Sequence, residues 1–281
     1  MTVHVTVWDD RERVGRDRAR TAATGSTPPA APALFVHNIF TWGSDPTYGF
    51  AAQRPLADSR RLLLMDRRGY GDSPDTARSD FDVDADDVLD VLGGEASDAR
   101  SGGAHLVGHG NGAVAALIAA ARRPGLVRSL ALVQPSAFTA AAHHPVVAAL
   151  LDRVRDGAPG IPDGVTPEQY LRASTEGLGM VMPEPTPRRL RAVATSMRER
   201  PVWEADIPLE AIRDARLPVL VICGTWDGAP DAYREHVGRP LVAVAESLTD
   251  SLGGRLVRVP GYYPHTQEPA AVNAALREFW S

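Results

Sequence analysis

The side chains best placed for chemistry in this sequence gather in Gly108-His109-Gly110-Asn111-Gly112, where a short apolar run gives way to a helical one. Glycine at alternate positions permits a sharp strand-to-helix turn. His109 offers an imidazole for proton transfer, and Asn111 follows Gly110 at the start of the helical run. Gly110, in the middle, has neither hydroxyl nor thiol, so no acyl-enzyme can form on it. Three further places carry reactive groups. Asn38 follows His37, and its amide could donate to a substrate oxygen. Asp227 lies three residues after Gly224 in a turn. Tyr262 and His265 precede the last helical segment. Each has a structural alternative: Asp227 as a turn aspartate before Gly228, His265 as a solvated or helix-capping histidine.

Bulk properties narrow the function classes. The chain has 281 residues and a formal net charge of −5, with no basic stripe, so no nucleic-acid footprint is expected. All 30 Lys+Arg residues are arginine, which excludes a lysine Schiff base and a phosphate-loop lysine. The single cysteine, Cys223, excludes an intrachain disulfide. No metal cluster, dinucleotide fingerprint or phosphate loop is visible, so neither cofactor nor metal is expected. With no signal-peptide pattern and no apolar run of membrane-spanning length, the expectation is a cytoplasmic protein without a membrane partner, as monomer or homodimer.

Elements that could position these groups follow from the pattern. Short runs rich in Val, Leu and Ile at residues 3–8, 33–37, 61–66, 104–107, 127–133, 219–223 and 256–259 suit strands, most of them buried on both faces of a sheet. Helical patterns occupy residues 112–123 and 270–280. The alternation predicts an α/β fold with a doubly wound, mostly parallel sheet. Residues 9–20 and 21–32 read as a charged, then Pro/Gly-rich, loop. Residues 136–215 break the rhythm, with helical segments near 145–156, 167–177 and 187–200 and no strand run. They read as an inserted helical cap on a core made of residues 1–135 and 216–281.

Four stretches, in order, resemble the α/β-hydrolase superfamily in its cap-containing esterase and epoxide-hydrolase-like branch. They are Leu34-Phe35-Val36-His37-Asn38-Ile39-Phe40, Asp66-Arg67-Arg68-Gly69-Tyr70-Gly71-Asp72-Ser73, the Gly108–Gly112 segment, and Pro218 to Asp227. The resemblance implies that Gly108–Gly112 is the nucleophile elbow, with Gly110 at the position of the catalytic serine. It implies that Asp227 is the triad acid and that His37, Asn38, Ile39 and the Asn111 N–H surround the oxyanion. Gln134 stands where some relatives keep an alternative acid. Either Tyr262, in an ungapped alignment, or His265, with a shorter loop, takes the place of the triad histidine. Phe40, Trp42, Tyr48, Tyr262 and Tyr263 are expected near the mouth, with His109 and Trp42 among the substrate contacts.

The expected function is therefore that of an α/β-hydrolase-fold enzyme with a degenerate triad and without its serine nucleophile. It would act by non-covalent acid/base chemistry, such as cyclisation, lyase or hydratase action, or water-mediated hydrolysis, on a small apolar or aromatic molecule. Two alternatives stay open: a catalytically inactive ligand-binding protein, and an ordinary esterase-like hydrolase whose serine has been replaced by glycine.

Overall fold

The computed structural model describes residues 2–10, 30–96, 103–156 and 160–281. Most of the loop expected over residues 9–32 lies outside the described residues. Seven strands form one sheet in the order β1-β3-β2-β4-β5-β6-β7. They are β1 (Val5–Trp8), β2 (Ala33–Val36), β3 (Leu62–Met65), β4 (Ala104–His109), β5 (Val127–Val133), β6 (Val219–Gly224) and β7 (Arg255–Val259). β1 runs antiparallel to β3 at the edge, and every other pairing is parallel. The sheet is thus the expected one.

Among the described residues, eight α-helices of six or more residues accompany it: α1 (Phe81–Ala96), α2 (Asn111–Arg122), α3 (Pro145–Arg155), α4 (Pro167–Thr175), α5 (Pro187–Ser196), α6 (Leu209–Asp214), α7 (Arg239–Leu252) and α8 (Pro269–Phe279). Alternate residues of β2 explain how the layers form. Leu34 and Val36 join one apolar cluster with Phe81, Val88, Val114 and Leu248, from α1, α2 and α7. Ala33 and Phe35 join a second cluster on the opposite face, with Val272 and Leu276 from α8. Strands covered on both faces have no use for polar alternation, which is why they read as continuous apolar runs.

α1, α6 and α7 are additional to the helices expected from pattern. The acidic residues of α1 break up its hydrophobic stripe in the sequence. Phe81, Ala85, Val88 and Leu92 are nevertheless buried at helical spacing. Among the described residues, no strand falls between β5 and β6; α3 to α6 fill that interval. α5 is fastened down firmly. Arg189 pairs with buried Asp45 at 2.6 Å, Arg191 donates to the Gly71 and Ser73 carbonyls, and Thr195 donates to the Gly69 carbonyl. The turn at residues 66–73 is therefore a seat for α5.

Candidate functional site

The turn between β4 and α2 is built around Gly110, whose backbone sits at φ 56°, ψ −118°. A residue with a Cβ tolerates this region poorly, and here the space is also taken. A Cβ at Gly110 would lie 2.1 Å from Cγ, 2.2 Å from Oδ1 and 2.4 Å from Nδ2 of Asn38. The Asn38 carboxamide therefore occupies the volume that a side chain at position 110 would need. Its Oδ1 accepts the Asn111 backbone N–H at 2.9 Å. With the oxygen so assigned, the Nδ2 protons remain free to donate elsewhere. The turn carrying Asn38 does not put asparagine in the left-handed region; Phe40 takes that conformation instead, at φ 63°. Phe40 is held there by its N–H to Ser196 Oγ at 3.1 Å and by Arg189 on its carbonyl.

His37 is fully buried and serves as a strut beneath this loop. The Arg67 N–H donates to Nε2 at 3.0 Å, so Nε2 is unprotonated and Nδ1–H donates to the Asn38 carbonyl at 2.6 Å. Burial, with the Arg67 charge beside it, holds this imidazole neutral, well below its ordinary pKa.

A cavity of about 340 Å³ opens above the turn. Of the expected contacts, Asn38, Ile39, His109 and Asn111 line it, together with Phe40, Tyr48 and Tyr263. Burial, then His265 and His37 nearby, push His109 well below its usual value, so it is a neutral ring, and its Nδ1 has no hydrogen-bond partner. The opposite wall carries a phenol pair, Tyr233 and Tyr263, with their hydroxyls 2.8 Å apart.

Asp227, Tyr262, His265, His37 and Trp42 do not line the cavity. Asp227 is exposed on the turn after β6. Tyr262 packs its ring into a cluster with Trp226, Tyr233 and Tyr263, while Gln134 Nε2 donates to its carbonyl at 3.0 Å. Gln134 Oε1 also accepts the Gly224 N–H at 3.2 Å, so this glutamine ties two strand ends to the tyrosine loop. Trp42 lies under the guanidinium groups of Arg188 and Arg189 as a cation–π partner. His265 is the clearest departure from a solvated or catalytic reading. Its ring lies 4.2 Å from that of His109, centre to centre, and is fully buried. Nε2–H donates to the Tyr48 carbonyl at 3.1 Å, and Gln53 holds the His265 carbonyl at 2.8 Å.

Burial brings His265 down to about 4, against the opposing pull of the Tyr48 carbonyl and Asp45. The unfolded chain therefore binds a proton at this ring near pH 6.5, while the folded protein refuses it until pH about 4. Stability from this group is complete above pH 6.5 and falls as the pH drops toward 4, by roughly 3 kcal/mol in all. Urea denaturation at neutral and mildly acidic pH checks this. His265→Gln is expected to shrink the pH-dependent loss, whatever it costs at neutral pH. An unchanged acid-side slope would remove His265 as the cause.

A buried charge cluster, not anticipated as part of the site, stands behind Asn111. Arg67 binds Asp84 at 2.9 Å and Glu199 at 2.7 Å. Glu199 also accepts from the Tyr70 hydroxyl and from Asn111 Nδ2, the latter at 3.1 Å. Burial would depress Arg67, but Glu199, Tyr70 and Asp84 raise it well above its ordinary value, so it stays charged. Asp84 is pushed up to about 7 by burial, more than Arg67 pulls it down. No local pattern marks Glu199, because its partners are far away in sequence. Ser136 also lines the cavity and donates its backbone N–H to the Gly110 carbonyl at 3.1 Å.

One metal-like group occurs among the described residues. His4, Asp66 and Asp72 bring ligand-type atoms within 4.8 Å. Arg188 already lies 2.7 Å from Asp72 and 3.7 Å from Asp66, which supplies the positive charge a cation would bring.

Comparisons with known proteins bear on the fold and the family. The chain is 32% identical over 167 residues to a 2-(acetamidomethylene)succinate hydrolase from Mesorhizobium japonicum, covering 57% of this chain and 54% of that protein. It is 27% identical over 140 residues to an sn-1-specific diacylglycerol lipase from Danio rerio, covering 47% and 43%. It thus spans about half the length of the curated relatives it matches. In fold it is similar to an alpha/beta hydrolase from Sphaerobacter thermophilus, with a TM-score of 0.61, 20% identity and coverage of 99% and 96%. An esterase from Thermogutta terrifontis gives 0.58, with 21% identity and coverage of 99% and 92%. The alpha/beta hydrolase family profile matches residues 33–275, strand β2 through most of α8, and the chain belongs to that family.

Proposed function

We propose that this protein is an enzyme that holds a small apolar or aromatic molecule in the 340 Å³ cavity and promotes proton transfer on it without a covalent intermediate. The observation that carries this reading is the Asn38 carboxamide, which fills the nucleophile's space and occupies the Asn111 N–H. Cyclisation, elimination and hydration all need an oxygen polarised and a proton moved, not an acyl group stored. Asn38 Nδ2 supplies a donor to a substrate oxygen. His109, neutral and lining the cavity, supplies a second polar contact, as hydrogen-bond donor or weak base. Tyr233 and Tyr263 line the same cavity, and their hydrogen-bonded hydroxyl pair keeps one O–H to donate to a bound molecule. Helices α3 and α4 serve as the part of the cap that shapes the cavity, through Leu150, Tyr170, Ser174 and Thr175. The hydrolase names of its relatives support the enzyme reading at the level of the family.

A second reading, ligand binding without turnover, is favoured by Asp227 and His265 lying outside the cavity. The test combines intact-mass measurement with turnover. After exposure to a fluorophosphonate and to p-nitrophenyl butyrate, the protein is expected to show no mass increase and no burst of nitrophenol. A covalent adduct would overturn the proposal and direct attention to another nucleophile, such as Ser136. Small molecules extracted from the purified protein are then returned to it. Conversion that is lost in His109→Phe supports catalysis, whereas a bound molecule recovered unchanged supports binding alone.

A further inference from the structure

We infer that the cavity selects uncharged molecules and rejects both carboxylates and ammonium ions. The inference rests on the cavity being the ligand site, as proposed above, and adds the charge of what it takes.

Among the described residues that line the cavity there is no Asp, Glu, Lys or Arg. Its polar contacts are neutral: Asn38, Asn111, Gln134, Ser136, Ser174 and Thr175. The titratable groups in the wall are neutral too. Burial holds His109 as an imidazole and keeps the phenols of Tyr48, Tyr170, Tyr233 and Tyr263 protonated. His236 is the remaining titratable side chain of the lining, and it stands on the exposed side.

The charges behind the wall are already spoken for. Arg189 pairs with Asp45 through two contacts, 2.6 and 2.8 Å long. Arg67 divides itself between Asp84 and Glu199, so this cluster has no positive charge to spare. A cation would have aromatic faces to lie against, but no carboxylate among the described residues lines the cavity, and those behind its wall, Asp45 and Glu199, are hydrogen-bonded to arginine.

One feature favours an anion: the N-terminus of α2 points at the cavity through Asn111. Such a terminus presents about half an elementary charge, and here its first N–H is already satisfied by Asn38 Oδ1. A half charge that is already hydrogen-bonded cannot replace the water shell of a carboxylate. An amide, ester, ketone or alcohol oxygen loses far less on entry and finds the Asn38 Nδ2 donor waiting.

The test uses three probes of one shape: 3-phenylpropanamide, 3-phenylpropanoate and 3-phenylpropylamine. Binding is read from tryptophan emission, since Trp203 lines the cavity and is 42% exposed, and is confirmed by titration calorimetry. The amide is expected to bind on the order of 100-fold more tightly than either ion at neutral pH. The carboxylic acid enters only in its neutral form, so its apparent affinity should rise about tenfold per unit fall in pH between about 8 and 6.5. Ser174→Arg, which places a cation in the wall, should recover carboxylate binding by about tenfold or more and flatten that slope. If the carboxylate or the amine binds as well as the amide, or the acid shows no pH slope, the charge inference is overturned while the cavity remains a ligand site. If none of the three binds, the cavity reading itself falls, and this inference with it.

Discussion

Placing serine at position 110 is expected to leave the protein without esterase activity and to destabilise it by roughly 2–4 kcal/mol. Two effects sum to that figure. A side chain must accept φ 56°, ψ −118°, a conformation that costs a non-glycine residue about 1–3 kcal/mol unless its surroundings compensate. It must also displace Asn38, whose carboxamide atoms lie 2.1–2.4 Å from the new Cβ. Moving Asn38 gives up its bond to the Asn111 N–H. Asn38→Gly alone removes the same bond and costs about 1 kcal/mol, but it opens the volume. In the double variant the two losses should not add, and a coupling of about 1–3 kcal/mol is expected. Urea denaturation of the four proteins, with p-nitrophenyl ester assays alongside, measures both quantities. Ester turnover by the Gly110→Ser variant alone, or additive stability losses, would refute the packing argument. The double variant should stay inactive as well, because Tyr262 belongs to an aromatic cluster and Asp227 faces solvent.

The largest stability effect is expected at Arg67. Its side chain is fully buried, and it is the shared partner of two buried carboxylates. Arg67→Ala leaves Asp84 and Glu199 facing each other in a low-dielectric interior, at a cost of roughly 3–5 kcal/mol. That is a large share of the 5–15 kcal/mol typical of a folded domain. Part of the loss should return at lower pH, because Asp84, already raised to about 7, then takes up a proton and needs no partner. Denaturation at neutral and mildly acidic pH reads this directly. A loss below about 1 kcal/mol, or one that grows on acidification, would show that the cluster is not a buried charge network. A triple variant, Arg67→Met with Asp84→Leu and Glu199→Leu, should recover much of the stability, since replacing all partners by apolar groups is often neutral. Its ligand binding should still suffer, because Asn111 Nδ2 loses its anchor.

Much of the fold could be read in advance because its signals are local. Apolar runs such as Leu62–Met65 and Val219–Gly224 match strands closely, since a strand buried on both faces is apolar at every position. α2 was equally plain, with Val114, Leu117 and Ile118 set among alanines. α1 was not, because Asp84 and Asp87 interrupt its stripe. Asp84 is buried only because Arg67 lies beside it, and Asp87 pairs with Arg68. A charge that becomes acceptable through a distant partner looks, in sequence, like a solvated one.

The site divides in the same way. Residue identity alone determined that position 110 has no nucleophile, that Cys223 has no intrachain partner, and that the chain has no lysine. These are statements about atoms present or absent, and folding cannot change them. Tertiary structure alone decided that the Asn38 carboxamide fills the space a side chain at position 110 would need, that His265 is a buried histidine packed at a tilt against His109, and that Glu199, just beyond α5, reaches Asn111. Each of these depends on contacts between residues 73 to 156 positions apart, where local spacing has no bearing on distance. The environment at such contacts, dry and crowded, then sets whether an imidazole is a base or a strut, which no reading of residue type can supply.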